Sequence, residues 1–137
     1  MNNSRSDVLM LAGRVLLATV FIQGGFSKLV SMDGSIAYSA SAGLPAPAAA
    51  YWVAVIVELG GGLAVLLGFQ TFLASLALAL FCLVTGFAVH LQPGNMGQMI
   101  NFWKNIAIAG GFLQLAATGA GMLSLDARMG RGRAAAV

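Results

Sequence analysis

An apolar stretch of nineteen residues, Tyr51 to Phe69, constrains what this chain can fold into more than any other feature. Its length matches the roughly 20 apolar residues that an α-helix needs to cross a bilayer. Glu58 lies near its middle, and an acid at that depth costs about 2.5–3.5 kcal/mol on insertion scales, so it normally faces a partner or a cavity. Gly60, Gly61 and Gly62 follow, and small residues let helices approach closely. The stretch therefore predicts a membrane helix that combines a buried acid with a close-packed surface.

The rest of the chain is also poor in charge. Of its 137 residues, 59% are hydrophobic and 8% are charged, with seven Lys and Arg and four Asp and Glu. A soluble domain carries about 25% charged residues. This composition excludes a soluble globular domain and predicts one membrane domain over residues 1–137. The net charge of +3 does not indicate nucleic-acid binding, because the positive charges are dispersed except in the C-terminal tail.

Four apolar blocks predict an all-α, polytopic transmembrane four-helix bundle. The predicted helices cover about residues 8–30, 49–68, 71–91 and 100–119, and residues 124–137 form a basic tail. A short interfacial segment is predicted between the first two helices, where Asp33 can cap a helix over residues 34–42.

The positive charges predict the orientation of the bundle. Four helices place Arg5, Arg14 and the arginines of the tail on one side, whereas the opposite side has only Lys28 and Lys104. Because cytoplasmic segments carry an excess of Lys and Arg, both termini are predicted to be cytoplasmic.

The polar side chains of the four helices are predicted to converge in the outer half of the bundle. Those on the fourth helix are spaced i, i+3, i+4, which places them on one helix face. The predicted ligand-binding cluster consists of Lys28, Glu58, His90, Asn101, Lys104 and Asn105.

Two interpretations of this cluster stay open. In the functional interpretation it lines an outward-facing pocket that binds a quinone head group or another small polar molecule, or relays protons. In the structural interpretation, Lys28 and Lys104 reach towards the headgroups and Glu58 pairs with one of them to lock the bundle. The sequence identifies no catalytic residue, and it leaves open whether the protein is an enzyme.

Arg14 and Gln23 are secondary candidates. Arg14 is expected to reach the cytoplasmic headgroups, and Gln23 is expected to form an interhelical hydrogen bond. Cys82 is the single cysteine of the chain and is expected to be an inert packing residue. No metal site is predicted, because Met96 and Met99 near His90 form only a weak ligand set.

The order of several short motifs resembles the DoxX family. The motifs are GRVLL at 13–17, GFSKL at 25–29, VELGGG at 57–62, FWKN at 102–105 and LSLD at 123–126. The resemblance implies a bacterial inner-membrane four-helix protein that is associated with membrane oxidoreductase systems, such as a thiosulfate:quinone oxidoreductase subunit. The polar positions that fit the family are Arg14, Lys28, Glu58, His90, Lys104 and Asn105.

The resemblance and the composition together predict a redox-associated membrane subunit that binds a quinone or a small polar ligand. The chain has no haem, flavin or metal motif, so redox chemistry would require a quinone or a partner subunit. One alternative is a small-molecule transporter, although the small multidrug exporters carry their acid in the first helix. Another is a non-catalytic assembly or scaffold protein. The glycine pairs at 61–62 and 110–111 are candidate contacts for a homo-oligomer or a larger membrane complex.

Overall fold

The computed structural model describes residues 3–130, and every regular element in this range is helical. The helices are α1 (Asn3–Val30), α2 (Met32–Ser41), α3 (Pro47–Ile56), α4 (Gly62–Leu67), α5 (Thr71–Thr85), α6 (Met96–Thr118) and α7 (Leu125–Arg128). A first π-helical turn, Val57–Gly61, joins α3 to α4, and a second, Gly86–His90, extends α5. The predicted all-α class is confirmed.

Three segments of the described chain are long and apolar enough to cross a membrane: Ser4–Val30, Pro47–Leu67 and Thr71–His90. The fourth long helix, α6, is not among them, because Asn101, Lys104 and other polar residues lower the hydropathy of its first half. Its 23 residues nevertheless give it a length of about 35 Å, and it packs extensively against α5. The predicted class, an all-helical membrane protein, is confirmed, while the crossing of α6 stays a prediction.

Reporter fusions test the crossing of α6. We expect a reporter at the C-terminus and one in the Gln92–Gly94 turn to lie on opposite sides of the membrane. A reporter after Phe69 is the control. It follows two crossings and so lies on the same side as the N-terminus, and the C-terminal reporter shares that side if α6 makes a fourth crossing. If the C-terminal reporter shares the compartment of the Gln92–Gly94 turn, α6 does not cross.

The helices pack around an apolar core. Leu78 and Val65 are fully buried, and the rings of Phe21 and Phe112 meet edge to face with their centroids 5.3 Å apart. The most extensive packing joins α5 to α6 and α1 to α4 with its preceding π-turn. The fold therefore consists of two tightly packed helix pairs, which meet where α4 and the first π-turn contact α5.

Glycines set the closest approaches between helices. A Cβ at Gly61 would lie 2.9 Å from Leu78 Cγ, and one at Gly62 would lie 3.0 Å from Ile22 Cγ1. These candidate oligomer contacts are therefore used inside the molecule. A Cβ at Gly110 would have no neighbour within 4 Å, and association with another chain through this position stays a prediction.

The α2 helix follows the C-terminal end of α1, and none of its residues is buried. It begins at Met32 after Ser31, and no side chain caps it. The expected cap by Asp33 is therefore wrong, because Asp33 already lies within the first turn of the helix. A carboxylate in that turn still favours the helix through its interaction with the N-terminal dipole.

Arg14 does not reach the headgroups, contrary to the expectation from the sequence. It is only 1% exposed, and its guanidinium donates hydrogen bonds to the backbone carbonyls of Leu66, at 3.5 Å, and Leu123. The chain after α6 folds back against α1 and supplies one of these acceptors. A charge within a membrane segment can be satisfied in this way by backbone carbonyls inside the protein.

Asp126 holds the same C-terminal segment against the start of α5. Its carboxylate accepts hydrogen bonds from the backbone N–H groups of Gln70, at 2.9 Å, and Thr71, at 2.8 Å. Its own N–H donates to Gly68 O at 2.8 Å. These bonds satisfy free N–H groups at a helix N-terminus. Residues 124–130 of the predicted tail are thus part of the fold, while residues 131–137 lie outside the described residues.

Candidate functional site

A cavity of about 720 Å³ lies between α1, α3 and α5, with α2 and one face of α6 completing its wall. Its volume falls within the range of small-molecule sites. The polar residues that line it are Lys28, Tyr38, Glu58, Thr85, His90 and Asn105, among others. Apolar side chains, including Phe21, Val84 and Ile108, form the remainder of the wall. The cavity therefore combines an apolar volume with several polar groups.

Lys28 and Glu58 form an ion pair on the cavity wall. Lys28 Nζ lies 2.7 Å from Glu58 Oε2 and 3.0 Å from Glu58 Oε1. The Glu58 side chain is 10% exposed and that of Lys28 is 31% exposed, so the lysine is the more accessible partner. The sequence predicted a cationic partner for Glu58, and the structure identifies it as Lys28.

Neighbouring groups fix the position of this pair. Gly24 of α1 faces the acid, since a Cβ there would lie 3.4 Å from Glu58 Oε1, in van der Waals contact. Tyr51 OH donates a hydrogen bond to Lys28 O at 3.3 Å, which ties α3 to the last turn of α1. The pair therefore joins α1, which carries Lys28, to the first π-turn, which carries Glu58, and the Tyr51 hydrogen bond connects α1 to α3, the helix that this π-turn continues.

Both π-helical turns contribute to the cavity wall. Glu58 lies in the first, and His90 is the last residue of the second. A π-turn inserts an extra residue into a helix, and such turns occur frequently at functional sites. Neither turn was predicted from the sequence, because the glycines within them are equally compatible with a regular membrane helix.

His90 takes part in a hydrogen-bonded relay at the end of the cavity that α2 and the second π-turn line. His90 Nδ1 lies 2.6 Å from Gln98 Oε1, and Gln98 Nε2 donates to Tyr38 OH at 3.2 Å. The relay connects the second π-turn, α6 and α2. Gln98 is a site residue that the sequence analysis did not single out, and its only sequence signal was its polarity at the start of an apolar helix.

Asn105 forms a second relay, with α5. Its Nδ2 donates to Thr85 Oγ1 at 3.1 Å, and Thr85 Oγ1 donates to Phe81 O at 2.8 Å. Gly86 faces Asn105 across the two helices, since a Cβ there would lie 3.5 Å from Asn105 Cβ, in van der Waals contact. The relay fixes the Asn105 amide on the cavity wall.

The structure brings four of the six predicted cluster residues to the cavity: Lys28, Glu58, His90 and Asn105. Lys104 is exposed and Asn101 is half-buried, and neither lines the cavity. Lys104 is turned by about 100° around the helix from Asn105, and Asn101 lies one turn nearer the start of α6. Ligand binding by the cluster stays a prediction.

Gln23 lies at the edge of the cavity, but the expected interhelical hydrogen bond is wrong. Its Nε2 donates to Ser27 Oγ at 3.0 Å, one turn further along α1. Both side chains are exposed and line the cavity, so the partner available to Gln23 belongs to its own helix. Cys82 is buried and also lines the cavity. Within residues 3–130, no cluster of three or more His, Cys, Asp or Glu residues could hold a metal ion.

The chain is similar to a family model and to known inner membrane proteins. The family model described as DoxX matches residues 9–91. The Escherichia coli (strain K12) inner membrane protein YphA is 40% identical over 126 residues, covering 88% of this chain and 90% of the relative. Inner membrane protein YqjF of the same organism is 38% identical, covering 88% and 91%. "Putative oxidoreductase CatD" of Bacillus subtilis (strain 168) is 30% identical, covering 96% and 94%. No solved structure matches the chain.

Proposed function

The chain belongs to the DoxX family and is a multi-pass protein of the bacterial inner membrane, and we propose that it is a redox-associated subunit that binds a quinone or its hydroquinone in the cavity between its helices. The observation that carries the proposal is the Lys28–Glu58 ion pair on the wall of a cavity of about 720 Å³. The name of the relative CatD supports the redox association.

The lining of the cavity suits a ligand with a polar head and an apolar body. Two N–H groups of Lys28 suffice for its contacts with Glu58, and an ammonium group has three. The third can donate to an oxygen of the ligand. Phe21 and Ile108 supply apolar surface for a ring. The ion pair would thus place an oxygen of the ligand while the apolar wall holds its carbon skeleton.

Exposed residues at the edge of the cavity suggest how such a ligand enters. Val20, Gln23 and Ser27 of α1 and Val84 and Ala88 of α5 are exposed and line the cavity. All five lie within membrane-crossing segments. Access at that depth favours a ligand that is dissolved in the bilayer, as quinones are, over one that arrives through water.

Filling the cavity tests the proposal. We expect duroquinone, durohydroquinone or both to bind the purified protein in nanodiscs, and Ala88→Trp to weaken that binding at least about tenfold, because the indole would occupy the ligand's volume. Calorimetric titration measures the affinity. The matched control is Ala107→Trp, on an exposed position of α6 that does not line the cavity.

The two tryptophan variants also separate binding from folding. Both should elute as the wild type does in size-exclusion chromatography, since neither change lies at a buried position. If neither compound binds the wild type, or if Ala88→Trp binds as tightly as Ala107→Trp, the proposed function is wrong.

A further inference from the structure

We propose that this cavity selects the hydroquinone over the quinone, because a hydroquinone can donate hydrogen bonds to two side-chain acceptors that the relays leave free, and a quinone cannot. The inference rests on the proposed function and specifies the ligand of that same site. It follows from the direction of each hydrogen bond around the cavity.

The first free acceptor is His90 Nε2. Gln98 Oε1 is a carbonyl oxygen and can only accept, so the proton in its bond with His90 lies on Nδ1. In a neutral imidazole the other nitrogen, Nε2, then carries a lone pair. Within residues 3–130, Nε2 has no hydrogen-bond partner and is not among the buried unpaired atoms, so it is accessible. Because the half-buried His90 lines the cavity, the lone pair is available there.

The orientation of Gln98 fixes this tautomer, which makes Gln98 a positioning residue. Its Nε2 is engaged with Tyr38 OH at 3.2 Å, which leaves Oε1 for His90. Tyr38 also lines the cavity. Gln98 therefore links α2 to His90, and the position of its Oε1 against Nδ1 leaves Nε2 as the free nitrogen.

The second free acceptor is Asn105 Oδ1. The hydroxyl proton of Thr85 is directed at Phe81 O, so Thr85 Oγ1 accepts from Asn105, and the amide nitrogen must be the atom that faces it. The remaining atom, Oδ1, has no hydrogen-bond partner in the described chain and is not buried. Asn105 also lines the cavity.

The ion pair places a further acceptor, the Glu58 carboxylate, on the cavity wall. Glu58 is an acceptor, and Lys28 directs its short contacts at both of the Glu58 oxygens. A hydroxyl group can donate to an acceptor of the cavity and still accept from the remaining N–H of Lys28. A carbonyl can only accept, so a quinone would leave the acceptors of the cavity unpaired. Sites built to hydrogen-bond a hydroxyl discriminate strongly against analogues that lack it.

Comparing the two redox forms tests the inference. Under anaerobic conditions in nanodiscs, we expect durohydroquinone to bind at least about tenfold more tightly than duroquinone. The dimethyl ether of durohydroquinone keeps the oxygens but lacks the protons, and should bind as weakly as the quinone. Asn105→Leu and Gln98→Leu should each reduce the preference several-fold. The matched control is Gln114→Leu, on an exposed position of α6 outside the cavity, which should keep the preference.

A spectroscopic measurement tests the tautomer independently of binding. The chain has a single histidine, so ¹⁵N NMR of histidine-labelled protein reports on His90 without assignment. We expect the Nδ1–H tautomer in the wild type and a mixture in Gln98→Leu. The Nε2–H tautomer in the wild type would overturn the inference.

The outcomes separate the inference from the proposed function. Equal or tighter binding of duroquinone that remains sensitive to Ala88→Trp overturns the selection and leaves the proposed function in place. Absence of binding by both forms overturns the proposed function and the selection with it.

Discussion

Lys28→Met is expected to lower the free energy of unfolding by about 3–5 kcal/mol, since it leaves the charge of Glu58 in the protein interior without its cation. The Glu58 side chain is only 10% exposed, and Lys28 Nζ lies within 3.0 Å of both its oxygens. Unfolding in mixed detergent–SDS micelles, followed by tryptophan fluorescence, measures the loss.

Two variants serve as controls for this result. Lys104→Met removes an exposed lysine that has no ion-pair partner within residues 3–130, and we expect a change of less than about 0.5 kcal/mol. Adding Glu58→Met to Lys28→Met should recover most of the stability, because replacing a whole buried pair by apolar residues is often neutral. If Lys28→Met unfolds as the wild type does, the pair does not stabilise the fold.

Gly68→Ala is expected to destabilise the protein by about 2–5 kcal/mol in the same assay. Gly68 has φ +64°, and a side chain in that conformation costs roughly 1–2 kcal/mol. The added Cβ would also overlap Arg14 Nη1 and lie 2.5 Å from Ser124 Cβ, and such overpacking typically costs about 1–3 kcal/mol.

Gly43→Ala separates these two contributions. Gly43 has φ +76°, but a Cβ there would have no neighbour within 4 Å, so only the conformational cost of about 1–2 kcal/mol applies. The difference between the two variants measures the cost of displacing Arg14 and Ser124. Equal losses would show that both move aside without cost.

The helices and the need for a cationic partner of Glu58 could be predicted from the sequence, because both follow from the composition of single apolar segments. Long apolar blocks are sufficient to identify membrane helices. Glu58 near the middle of one block required a partner, for which the sequence offered Lys28 or Lys104, and the structure selects Lys28. The face of α6 was harder to assign, because the grouping of Asn101, Lys104 and Asn105 gave no information on which edge of that face meets α5. The packing of α5 selects Asn105 and leaves Lys104 exposed.

The features that the sequence did not predict depend on contacts between distant residues. Asp126 caps a helix that begins 55 residues earlier, so no local cap motif could reveal it. The relay through Gln98 requires α2 and the second π-turn to meet α6. Arg14 was expected at the headgroups because the sequence could not show that the chain after α6 returns to cover it.

Arg14 is synthesised well before the residues that bury it. Its acceptor at Leu123 is synthesised 109 residues later. At about 5–20 residues per second, the ribosome leaves an interval of roughly 5–20 s during which α1 lacks this acceptor. During that interval the hydrogen bond that Leu123 later accepts must be made to water or lipid headgroups, as long basic side chains can do. The segment around Leu123 therefore completes the burial of a charge that is synthesised with α1.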